Sequence, residues 1–172
     1  TLLRLLCAAV DTGFAPVDFL ALLKHPLCRV GLERAAVLDA ARRLDRKWLR
    51  GLKPASGIGA IRALVTATKP EDSAGRPAGL DLIDRLTERT SALASLMDGG
   101  ATPAALLDAT IAAAEAVASA EDLWRGEAGA ALADALAQWR TAWADNPAIG
   151  AAEWPALLGT MLAGVTIRPR HG

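Results

Sequence analysis

The chain has 172 residues, 52% of them hydrophobic, and its 19 basic and 19 acidic side chains give a formal net charge of zero. That length suits one domain, able to bury roughly 70% of the surface its unfolded chain exposes. No apolar run approaches the roughly 20 residues that a membrane span needs, because charges break each run at helical intervals, so the composition excludes a membrane-spanning chain and predicts a water-soluble one.

Charge is unevenly spread. From Arg29 to Lys53 there are eight basic residues against three acidic, and from Asp98 to Leu158 nine acidic against two basic. Such asymmetry places a protein on nucleic acid or docks it against a neighbouring domain. Cys7 and Cys28 stand in apolar surroundings without a paired spacing, which predicts reduced core thiols in a cytoplasmic protein and no metal.

The opening TLLRLLCAAV begins inside a helical pattern without an initiator Met and has no cleavage site of a signal peptide, which suggests a piece of a longer chain. Leu2, Leu5, Leu6 and Ala9 then mark a helix to Asp11. Phe14 to Leu27 follows, read as the apolar stretch around which the other helices are organised. Pro16 opens its helix, Val17, Phe19, Leu20, Leu22 and Leu23 supply its apolar surface, and Pro26 stops it near Lys24. His25 is expected on the boundary, bonded to a backbone carbonyl.

A long helix from about Leu32 to Arg50 places Val37, Ala41, Leu44 and Trp48 within about 60° of arc and Arg42, Arg43, Arg46 and Arg50 on the opposite side. Gly51 is its expected C-cap. A loop precedes a shorter helix at about 58–68. The segment 69–79 concentrates Pro, Gly, Ser and charge without apolar periodicity, and reads as a mobile loop within one domain. Helices are then expected at about 80–97, at about 103–119 behind a Thr102 cap with Pro103 in the first turn, at about 126–144, and at about 152–163. The count is about eight, in an all-α domain over 1–164. After it, VTIRPR turns β-like at 165.

Arg42, Arg43, Arg46, Lys47 and Arg50 form the candidate DNA-binding face, since a basic helical stripe releases counterions when it meets phosphates. The alternative is a solvated face on which Asp39 pairs with Arg42 or Arg43. On helical spacing Asp45 offers Arg50 little. The loop GIG at 57–59 lacks the lysine and hydroxyl of a phosphate loop, and the chain has no HExxH or GxSxG. Four of the five tryptophans are placed at core-facing or helix-end positions; Trp124 is the one expected to be exposed.

Three phrases carry a resemblance. GFAPVDFLALLKHPL at 13–27, DLWRGEAGAALADAL at 122–136 and WPALLGTMLAGVTIRPRHG at 154–172 resemble, in this order, segments of the AddB family, the double-strand-break repair subunit of the AddAB helicase-nuclease of alphaproteobacteria. His171 stands where the family shows an aromatic. The resemblance implies a 2B-like helical insertion in a superfamily 1 helicase-like protein, with 165–172 starting a strand that re-enters the motor domain. It implies an AddA-like helicase-nuclease subunit and double-stranded DNA ends as partners. ATP, Mg and an iron–sulfur cluster would serve other parts of that protein, because no family nucleotide-binding, nuclease or cluster motif occurs here. The expected role is therefore non-catalytic. A free-standing helical nucleic-acid-associated module is the alternative, although one Asn and one Gln in the whole chain supply little for reading bases. A helical enzyme with an unrecognised site is a third class.

Overall fold

The computed structural model describes residues 1–50, 57–69, 74–150 and 152–165. Gly51, the residues 70–73 of the expected mobile loop and the expected strand beyond Val165 lie outside them. Helix α1, Leu2–Asp11, buries Leu2, Leu3, Leu6, Cys7, Ala9 and Val10. That is more of its circumference than the four residues read from its spacing, because α1 has neighbours on several sides. It packs against α2 (Pro16–Lys24), α5 (Arg76–Gly99), α6 (Pro103–Ala118) and α9 (Glu153–Ala163). Helices α1, α5 and α6 are thus the most widely packed elements, with four main helical neighbours each, rather than the Phe14–Leu27 stretch. Helix α2 leans on α1 and α3 and buries Phe19, Leu22 and Leu23, while Val17 stands 78% exposed.

Helix α3, Arg34–Leu44, buries Val37, Ala40, Ala41 and Leu44. The chain then continues from Asp45 to Leu49 as a π turn, closed by the Arg50 N–H donating to the Asp45 carbonyl at 2.8 Å. The expected arc of Val37, Ala41, Leu44 and Trp48 is buried throughout. After α4, Ile58–Thr66, the 24-residue α5 begins at Arg76, inside the segment read as a loop. Gly75 adopts φ +88°, Pro77 occupies a first-turn position that needs no N–H donor, and Gly79 is buried against Leu44 and Val65. Pro77, expected in a loop, instead stands at the start of a helix.

Thr102 caps α6 as its sequence requires, its Oγ1 accepting from the Ala105 N–H at 3.3 Å. One short helix has no counterpart among the expected elements: α7, Ala120–Leu123, opened by Ser119, whose Oγ accepts from the Asp122 N–H. Ser119 looked like the last residue of α6, but its φ of +109° turns the chain and starts a second cap. Helices α8, Gly126–Ala142, and α9 complete nine α-helices among the described residues, with no strand. The only β pairing there is an isolated bridge between Ala101 and Ile149. Helix α5 touches α1, α3, α4 and α6, so both sides of the Gly75 turn share one core. The all-α fold read from periodicity is the observed one.

Candidate functional site

The five cations of the candidate DNA-binding face sit on the outer side of α3 and its π turn, where Arg42, Arg46, Lys47 and Arg50 are exposed and Arg43 half-buried. They are not equally available. The Arg43 Nε donates to Asp39 at 2.7 Å, the i, i+4 pair anticipated from sequence. Asp45 accepts from Lys24 at 3.2 Å and lies 3.7 Å from Arg50. This reverses the expectation for Arg50, because the π turn brings i and i+5 to one side where an α-helix would separate them. Lys47 donates to the Ala74 carbonyl at 3.1 Å and lies 5.7 Å from the Trp48 ring. Arg42 and Arg46 have no ion-pair partner among the described residues.

Other cations of the basic half are structural. Arg34 donates to the carbonyls of Leu23 (2.8 Å) and Lys24 (2.8 Å) at the end of α2, whose i+4 donors Leu27 and Cys28 bond His25 instead, and to the Cys28 carbonyl (3.0 Å) beyond it. Arg29 binds Asp122 at 2.8 Å, tying the basic half to the acidic half, and this hydrogen bond holds the Asp122 carboxyl below its ordinary range. The Arg29 and Val30 N–H groups both donate to the Val117 carbonyl, at 2.9 and 2.8 Å, near the end of α6.

His25 departs from its expected bonding. Its Nδ1 accepts the Leu27 N–H at 3.3 Å, a turn bond two residues long, rather than donating to a carbonyl. Burial, with the charges of the N-terminus and Arg34, lowers its pKa below 6.5, so it is neutral at physiological pH. Cys7 and Cys28 are free and buried, and burial raises both thiols to about 11. Both are therefore protonated at neutral pH, and neither is an activated nucleophile. Cys7 lies 3.7 Å from the Thr110 hydroxyl, which also accepts the Trp154 indole N–H at 3.0 Å and donates to the Leu106 carbonyl at 2.7 Å. This is a satisfied core network.

Trp48, Trp143 and Trp154 are buried, but Trp139 is only half-buried. Trp124, expected to be exposed, is half-buried and donates to Glu115 at 2.7 Å. Among the described residues no group of three or more His, Cys, Asp or Glu stands where it could hold a metal ion, and no helix is long and apolar enough to cross a membrane.

A cavity of about 380 Å³ opens between α1, α7, α8 and α9. Apart from the start of α1, its walls come from the three stretches 13–27, 122–136 and 154–172. His25 and Leu27 belong to the first, Asp122, Leu123, Arg125, Ala128, Gly129 and Leu132 to the second, and Leu162 and Val165 to the third. The convergence of distant phrases could not be read from spacing, since it depends on which helices pack together. The chain matches no protein-family model, no curated protein and no solved structure.

Proposed function

We propose that the chain is the non-catalytic helical accessory domain of an AddB-like subunit, working with an AddA-like subunit in an ATP-dependent helicase-nuclease that processes DNA ends during recombinational double-strand break repair. The observation that supports this reading is the meeting of its three family-like phrases around one cavity. Residues that pack on one another constrain one another's identity, so phrases shared because of a shared fold should meet in space, whereas chance likenesses in Ala/Leu-rich helices need not.

In this reading the domain braces the partner subunit or positions the duplex, and the motor and nuclease chemistry lies elsewhere. The residues present do not fit an iron–sulfur cluster, which takes four cysteine ligands, because the chain has two, buried and in separate elements. Nor does the glycine turn before α4 fit a nucleotide phosphate: Gly57 caps the helix, and Ile58 and Gly59 offer neither ammonium nor hydroxyl. DNA contact rests on Arg42 and Arg46, with Arg43 and Arg50 already engaged by carboxylates.

The test is co-elution of the protein that carries this chain with an AddA-like subunit during size-exclusion chromatography, alongside assays of the 172-residue chain for ATPase and nuclease activity on a blunt duplex. A stable complex and an inactive chain are expected. Separate elution, or ATP hydrolysis by the chain alone, would overturn the proposal.

A further inference from the structure

Helix α8 is thinly covered. Only Gly129 and Leu136 of its 17 residues are buried, although its sequence has an apolar stripe. It packs chiefly on α6, whereas α9 packs chiefly on α1, so α8 and α9 leave a groove between them. Ala131, Ala135, Trp139 and the polar Gln138 line one wall and Met161, Gly164, Val165 and the polar Thr160 the other, around a volume of about 440 Å³. The aromatic wall is braced from behind: Trp139 lies 5.9 Å from Trp143, which meets the fully buried Trp154 edge-on at 6.0 Å.

Among the described residues, the exposed charges of α8 next to this groove are acidic. Glu127 and Asp134, seven residues apart on the exposed side of α8, run along the edge next to Ala131 and Gln138 at helical spacing. Neither has an ion-pair partner among the described residues, whereas the α8 cation Arg140 points to the opposite side and binds Asp108 at 2.9 Å. The α8 wall of the groove, Ala131 to Trp139, runs about 12 Å, and with Glu127 one turn before it this side of α8 covers about 18 Å, roughly three helical turns.

We propose that the α8/α9 groove docks a basic amphipathic helix of a partner protein, with the partner's apolar face over Ala131, Ala135, Trp139 and Met161 and its Lys or Arg residues along Glu127 and Asp134. Small residues on the α8 wall let a helix backbone approach closely, and the flanking carboxylates favour a cationic occupant over a neutral or acidic one. This assignment stands on the groove itself, whether or not the chain belongs to an AddB-like subunit.

The probe is a three-turn synthetic peptide with Leu at i, i+3, i+4 and i+7 and Lys elsewhere, tested beside a scrambled peptide of the same composition and a Glu/Leu counterpart. Binding is followed by tryptophan emission at 150 mM salt, since Trp139 lies in the groove. The Lys/Leu helix should bind at least tenfold more tightly than either control. The double variant E127Q/D134N should weaken it severalfold, and A135Q, which narrows the groove without changing charge, at least tenfold. Both variants should unfold at the wild-type temperature by circular dichroism, because the substituted side chains are exposed or only half-buried. Equal binding of the scrambled peptide, or indifference to A135Q, would overturn the proposal, as would a concentration-dependent dimer that A135Q abolishes, which would make the groove a contact between copies.

Discussion

Replacing Arg34 with Met should destabilise the protein although Arg34 looks like one more cation of a basic stretch. Its guanidinium donates to two carbonyls at the end of α2 and to that of Cys28 just beyond it. A hydrogen bond from a charged donor contributes about 1.5–3 kcal/mol. The Lys24 carbonyl is exposed and water can replace its bond, but the Leu23 and Cys28 bonds are partly buried. Two bonds of that class, discounted for partial exposure, make the loss about 2–4 kcal/mol. An opposing effect exists, since a cation in the first turn of α3 is disfavoured by the helix dipole by about 0.3–1 kcal/mol, and Met relieves it. The hydrogen bonds win, leaving a net loss near 2–3 kcal/mol and a melting temperature lower by about 5–10 °C. Urea unfolding followed by tryptophan fluorescence measures this directly. Lysine at the same place, which keeps the charge but not the fork, should recover less than half. A Met variant within about 0.5 kcal/mol of wild type would refute this account of how α2 ends.

Thr110→Val should cost about 1–3 kcal/mol in urea unfolding by leaving the buried Trp154 indole N–H without an acceptor, while Thr110→Ser should cost much less. Gly129→Ala should cost about 2 kcal/mol or more despite the better helix propensity of alanine, because the new Cβ collides with the Trp124 backbone; thermal melts equal to wild type would contradict this packing. His25, with its native pKa below the ordinary 6.5, binds fewer protons folded than unfolded near that pH, so its contribution is intact above 6.5 and declines as pH falls through the window below it. His25→Asn, which keeps an acceptor for the Leu27 N–H, should flatten the loss of stability between pH 7.5 and 5.5, and an unaltered profile would exclude His25 as its source. Arg42→Glu with Arg46→Glu should weaken duplex-end binding by the assembled complex and reduce its log–log salt slope by about 2, whereas Arg43→Glu should do less; an unchanged slope would remove DNA from this face.

The all-α class and most helix cores were legible because burial follows the 3.6-residue period: Val37, Ala41, Leu44 and Trp48 are all in the core, as are Leu82, Leu86, Leu93 and Met97. What failed were features set by local backbone choices or by tertiary partners. Pro77 and Ser119 each had two plausible local roles, and Gly75 and Ser119 with positive φ decided between them. The π turn after α3 leaves no spacing signal, yet it decides that Arg50 reaches Asp45. The candidate DNA-binding residues were correctly placed outside the core, but their availability depends on where Asp39, Asp45 and Ala74 lie. The α8/α9 groove was hidden for the opposite reason: the Leu132, Leu136, Trp139 and Trp143 stripe resembles a fully covered helix face, and only packing shows that half of it is not.

The central claim, that this chain is the helical accessory domain of an AddB-like subunit, is tested most directly by reading the coding DNA on both sides of it. The account predicts one open frame in which a helicase-like segment precedes Thr1, and a motor strand and then a nuclease domain with its cysteines follow Gly172. A start codon and a stop codon closely flanking the segment would contradict it, and would leave Arg42 and Arg46 as the leading marks of an independent binding protein.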